Sequence, residues 1–179
     1  LLTHPNNGLA SEAGCVSYDG NFVGGSGNSN NNYQAWRYSP NTGIEDIGPP
    51  PFSGWRGATT DISDDGSTLV GFYRPWPAPA TQGRGFFYKD GVGLNDLNQV
   101  ATDLGIDTQG RTLALPLAIS GDGTTVVGIA DNGSGFILRL SESLSINDDC
   151  TNALLLSCNS VEQGSTTNAT DSGGNGTND

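Results

Sequence analysis

Methionine is absent from this 179-residue chain, lysine occurs once (Lys89) and histidine once (His4). Seven basic side chains stand against nineteen acidic ones, a formal net charge of −12. Nucleic acids and anionic membrane surfaces both need a basic footprint, so neither is expected as a partner. A lone histidine beside Pro5 gives a Ser-His-Asp triad no well-placed base. Zinc chemistry is excluded on similar grounds, with one His and no Cys-x-x-Cys. No apolar run approaches the length of a membrane span, so neither membrane insertion nor a signal peptide is expected in this stretch. The chain opens on Leu1, which reads as a processed product or a piece of a longer precursor. Long amphipathic helices are hard to find, and so is an even set of cysteines: Cys15, Cys150 and Cys158 are the three.

What is abundant is glycine, 27 residues, together with Asn, Ser, Thr and Asp. Short strands between tight turns suit such a composition. One stretch occurs three times: Ser17-Tyr18-Asp19-Gly20, Ser63-Asp64-Asp65-Gly66 and Ser120-Gly121-Asp122-Gly123. Each is preceded by an apolar residue (Val16, Ile62, Ile119) and followed by an apolar run ending in glycine. Asp-Gly between apolar runs signals a tight β-hairpin, because glycine accepts the positive φ of the turn. Asp19, Asp65 and Asp122 are expected to bond local backbone amides, with Gly20, Gly66 and Gly123 as the turn glycines.

The surrounding segments align as well. After the first hairpin come an Asn/Gly/Ser loop (24–32), a strand at Ala35-Trp36-Arg37-Tyr38 and another at Ile44 to Ile47. After the second come a proline-stiffened extended loop from Phe72 to Pro79, then Gly85-Phe86-Phe87-Tyr88 and Leu94 to Leu97. An insertion follows (98–112), and the stretch from Asp96 to Ala101 is expected to form one or two helical turns. The third unit has a strand at Gly135 to Leu140 and no fourth strand. Trp36, Phe86 and Phe136 align and are core by position. The expected division is an N-terminal segment 1–11, repeats over 12–140 (12–56, 57–114, 115–140), a linker 141–149 and a partial β-module or extended tail 150–179. Two alignable four-strand units of this size are what propeller blades look like in sequence.

Chemistry-bearing residues are sparse. Neighbouring carboxylates (Glu45/Asp46, Asp64/Asp65, Asp148/Asp149) are not placed to face one another across a glycosidic bond, because strand neighbours point to opposite faces. Calcium is the one metal with candidates, Asp64, Asp65 and Asp131, though no complete ligand spacing is present. Trp55 and Trp76, in loops that differ between repeats, and Tyr73 are candidate contacts for a sugar ring or a protein partner. Cys150 and Cys158 enclose a short polar loop and read as a local disulfide of an exported protein. Cys15 reads as a small strand residue.

The repeats resemble the extracellular repeats of the HAF family, with a pattern like Ala-x-x-Ile-Ser-x-Asp-Gly-x-x-Val-Val-Gly, an aromatic strand and Leu-x-Asp-Leu-Asn. Ala58 to Gly71, Phe86 to Asn98 and Ala118 to Gly128 carry the match, and Gly110-Arg111-Thr112-Leu113 fits the family's Gly-Trp-Thr-Leu piece with Arg for Trp. The corners are also similar to the Asp-box hairpins of sialidase-type propellers, without the closing Trp. Asn147 to Cys158 looks like the opening of a β-sandwich module of Bacteroidetes-type secreted proteins. These resemblances imply a bacterial extracellular or cell-surface protein of propeller-like, all-β fold. Three units fall short of the usual four to eight blades, and open strand edges are templates for pairing. The expected function is thus a non-enzymatic structural or adhesive repeat protein that self-associates or joins a neighbouring surface protein, an extracellular fibre subunit being one form. A carbohydrate-binding module taking glycans and a non-catalytic fragment of a glycosidase-like enzyme are the alternatives.

Overall fold

The computed structural model describes residues 3–4, 8–29 and 32–140 of the chain. The linker 141–149, the 150–179 module with a strand expected near 153–156, and the Cys150–Cys158 pairing lie outside the described residues. Three antiparallel sheets follow one another in sequence. The first contains β1 (Thr3–His4), β2 (Gly8–Val16), β3 (Val23–Ser29), β4 (Asn32–Ser39) and β5 (Gly43–Asp46). The second contains β6 (Trp55–Ile62), β7 (Thr68–Pro75), β8 (Arg84–Lys89) and β9 (Gly93–Asp96). After a short helix α1 (Leu97–Asp103), the third contains β10 (Leu113–Ile119), β11 (Thr125–Ala130) and β12 (Gly135–Arg139). Each sheet is a meander of consecutive hairpins, and the sheets stack face to face, β6 on the first and β10 on the second. The protein is all-β and its sheets are propeller-like blades.

The three Ser-x-Asp-Gly corners are built alike. In each, the serine Oγ donates to the aspartate carboxylate (Ser17–Asp19 2.7 Å, Ser63–Asp65 2.6 Å, Ser120–Asp122 2.5 Å). The same oxygen accepts the amide five residues on, from Phe22, Thr68 and Thr125 at 2.9–3.0 Å. The aspartate accepts the amide two residues on, from Asn21, Ser67 and Thr124. Gly20, Gly66 and Gly123 take φ of +75°, +71° and +72°, a region open to glycine at little steric cost. The corners lie beside one another: the Asp64 amide donates to the Gly121 carbonyl at 2.8 Å, and Gly66 lies against the ring of Phe22, where a Cβ would come within 2.1 Å of it.

A second repeated device holds each blade's middle strand against its third. Gly25, Gly71 and Gly128 sit directly opposite Trp36, Phe86 and Phe136 in the ladder. A Cβ on any of these glycines would come within 2.0–2.3 Å of a carbonyl on the inner strand and 2.4–2.7 Å of the aromatic ring. The aromatic lies across the glycine, so the strand needs glycine there. This explains why 24–29, read from composition as a loop, is strand β3. Likewise Phe72 to Pro75, expected in an extended loop, completes β7.

The inner strands share a third feature. Each has an extra residue ahead of its corner, with register shifts between Ala13 and Cys15, Thr59 and Asp61, and Pro116 and Ala118. Such β-bulges bend the strand and increase its twist. Two apolar clusters fill the space between blades. Ala35, Ile47, Tyr73 and Phe86, with Trp55 and Leu94 against them, join the first sheet to the second. Val70, Leu97, Ala101, Leu113, Ile119, Val126 and Leu138 join the second to the third. The helix α1 begins at Asp96, whose carboxylate accepts the Asn98 amide as an N-cap, and it buries Leu97 and Ala101 in the second cluster.

Candidate ligand cleft

Because the strands are antiparallel, all three Asp-Gly corners lie at one end of the sheets. The segments 47–54, 76–83, 97–112 and 131–134 lie at the other end. At this second end β6 begins with Trp55-Arg56 and β7 finishes with Arg74-Pro75, and Arg56 and Arg74 are direct cross-strand partners. Trp76 follows at once and is half exposed. Its ring carries the Arg56 guanidinium carbon 4.1 Å from its centroid and that of Arg74 at 4.8 Å. Arg56 also lies 5.4 Å from the Tyr33 ring. Arg74 Nη1 donates to the Ala78 carbonyl. These side chains, with Glu12, Ser26 and Phe72, line a cleft of about 320 Å³. Ser26 is buried, and its Oγ donates to Glu12 Oε2 at 3.0 Å and lies 3.3 Å from the Tyr33 hydroxyl.

The other guanidiniums with close partners are engaged in ion pairs. Arg37, only 8% exposed, reaches Glu45 at 2.6 Å and Asp90 at 2.8 Å. Burial works against its charge, but the bonds to Asp90 and Glu45 outweigh it and raise the pKa. Arg84 meets Asp96 at 2.6 Å. Arg56 and Arg74 have no carboxylate within ion-pair distance among the described residues. A larger cleft of about 380 Å³, between 106–113 and 130–138, is lined by one cation, Arg111, and one aromatic ring, Phe136.

The structure separates the three aromatic candidates. Trp76 faces the cleft. Trp55 packs on the first core cluster, its ring 5.0 Å from that of Phe52. Tyr73 must be corrected: it is 2% exposed, and its hydroxyl donates to the Gly48 carbonyl at 2.8 Å. A side chain so buried cannot stack on a ligand, and burial pushes its phenol well above the usual range. Sequence reading missed Arg56, Arg74 and Tyr33. The signal that could have drawn notice to the arginines is scarcity: two of seven cations flank the loop-edge tryptophans.

The calcium candidates are not brought together. Asp64 and Asp65 lie at the second corner, and Asp131 lies in the β11–β12 turn at the other end. Asp65 Oδ1 already accepts from Ser63 Oγ, the Ser67 amide and Ser67 Oγ. No cluster of three or more metal-ligating side chains occurs among the described residues. The corner carboxylates are held below the ordinary range. For Asp19 the Asn21 amide is the largest cause, for Asp65 and Asp122 the serine hydroxyl. Cys15, in β2, has its thiol pushed up to about 12 by burial, which keeps it protonated and a poor nucleophile.

No protein-family model and no curated protein matches the chain. Among solved structures, a crystal structure of TolB from Acinetobacter baumannii is similar at a TM-score of 0.42 and 14% identity. The match covers 73% of this chain and 32% of that one, so the chain spans about a third of that protein's length. No helix among the described residues is long and apolar enough to cross a membrane.

Proposed function

We propose that this chain is a secreted or cell-surface, non-enzymatic structural repeat protein that associates with further copies through its third sheet. The observation behind this reading is a face covered in one blade and uncovered in the next. Val70 on β7 is fully buried beneath β10, whereas its counterpart Val127 on β11 is 38% exposed. Ile137, the cross-strand partner of Val127, is 69% exposed, and Leu117 on β10 is 48% exposed. Covering such side chains stabilises by about 25 cal/mol for each Å² of apolar surface removed from water. The outer edge adds to this. In the first two sheets β5 and β9 pair with β4 and β8, while β12 has no such neighbour among the described residues. An unpaired edge accepts a strand from another chain.

The likeness of the repeats to the HAF family supports an extracellular setting. An isologous contact between two third sheets would close as a pair, and a contact between the third sheet and another surface would propagate into a fibre. Light scattering across a concentration series tests the reading. The mass is expected to rise above that of one chain, and Ile137→Glu is expected to return it to one chain. A single-chain mass at every concentration would overturn the reading.

A further inference from the structure

We propose that the cleft formed by Arg56, Arg74, Trp76, Tyr33, Glu12 and Ser26 binds a sugar acid, a single ring bearing one carboxylate and several hydroxyls. The site is independent of the third sheet and does not depend on association. Like charges placed directly opposite on neighbouring strands destabilise a sheet. Arg56 and Arg74 are such a pair, with no described carboxylate in ion-pair reach of either. Elsewhere the fold pairs Arg37 and Arg84 with acids 2.6 Å away, so cations here are not left alone for lack of carboxylates. Trp76 makes the arrangement tolerable by offering its π-face to both guanidiniums, at 4.1 and 4.8 Å. A guanidinium laid against a ring keeps its N–H edge for hydrogen bonding; Arg74 commits Nη1 to the Ala78 carbonyl, so the fork that meets a planar carboxylate is that of Arg56, with Arg74 adding its remaining N–H groups.

The remaining lining narrows the ligand. Glu12 and the Tyr33 hydroxyl offer acceptors for hydroxyl donors, and buried Ser26 ties the two together. Two guanidiniums and two acceptors lining one cleft suit a molecule with one acid group and hydroxyls. Glu12 and the chain's net charge of −12 disfavour a polyanion. The volume, about 320 Å³, stands at the small end of ligand pockets and fits one ring.

The test is calorimetric titration of the full chain with glucuronate, glucose and inorganic phosphate, with saturation-transfer NMR to report the contacted ring protons. Glucuronate is expected to bind, and glucose and phosphate to bind at least tenfold more weakly. Arg56→Gln and Arg74→Gln are each expected to weaken glucuronate at least tenfold while the thermal unfolding midpoint is retained. Should one variant unfold, the other carries the comparison. The proposal is overturned by no glucuronate binding, by glucose or phosphate binding equally well, or by unchanged affinity in a folded arginine variant.

Discussion

A corner of this protein is a closed hydrogen-bonding unit of six residues. Its serine donates to the aspartate and accepts from the chain ahead, and the aspartate takes a further backbone amide. Such bonds favour the ionised carboxylate, so Asp19, Asp65 and Asp122 titrate below the unfolded value of about 3.9. A group whose folded pKa is depressed adds stability above its unfolded pKa and loses it as pH falls through the folded one. Denaturant midpoints are therefore expected to hold down to about pH 4 and then drop, and Asp65→Asn should shallow the drop. An acid limb unchanged by that substitution would show that other carboxylates set it. The corners were legible in the sequence because everything they need is local. Tyr73 was not, because its partner is the Gly48 carbonyl, brought near only by the folding of the first blade onto the second.

At the scale of the element, alternation misleads wherever a strand is bulged. In β6 the buried residues are Gly57, Thr59 and Ile62, one step of two and then one of three. Thr60 occupies the extra place, and its hydroxyl donates to the Pro116 carbonyl on β10 at 2.8 Å. Glycine misleads in another way. The run from Gly24 to Gly27 has the composition of a loop, yet it lies in β3 because Trp36 needs the room. Gly71→Ala would set a methyl 2.2 Å from the Ala58 carbonyl and 2.4 Å from Phe86. Overpacking of this kind costs about 1–3 kcal/mol, to be read as a lowered urea midpoint at unchanged slope. The short helix α1 was legible, since Asp96 is an N-cap residue type followed by Leu97 and Ala101 at helical spacing.

For the whole molecule, one side chain ties the first blade to the second. Arg37 leaves β4, pairs with Glu45 on its own sheet and reaches both Asp90 and the Gly66 carbonyl on the next. Its guanidinium also lies 5.3 Å from the Tyr88 ring. Arg37→Leu is expected to cost about 2 kcal/mol in urea unfolding, the scale of a hydrogen bond to a charged group, because Glu45 and Asp90 would be re-hydrated in place. A loss below about 0.5 kcal/mol, the size of an ordinary surface change, would make Arg37 a bystander. None of this could be read from spacing, since its partners belong to two sheets and four segments. The cleft beside Trp76 escaped sequence reading for the same reason: Arg56 and Arg74 become neighbours through strand register.

The supernumerary residues Gly14, Thr60 and Leu117 also act as phase shifters. Downstream of each, odd and even positions exchange sides, so a one-residue deletion there would turn Ile62, or Val16 or Ile119, to the opposite side of its strand and carry the adjoining corner with it. Lengthening or shortening this chain by single residues is thus tolerable in the linking loops and ruinous just ahead of the corners.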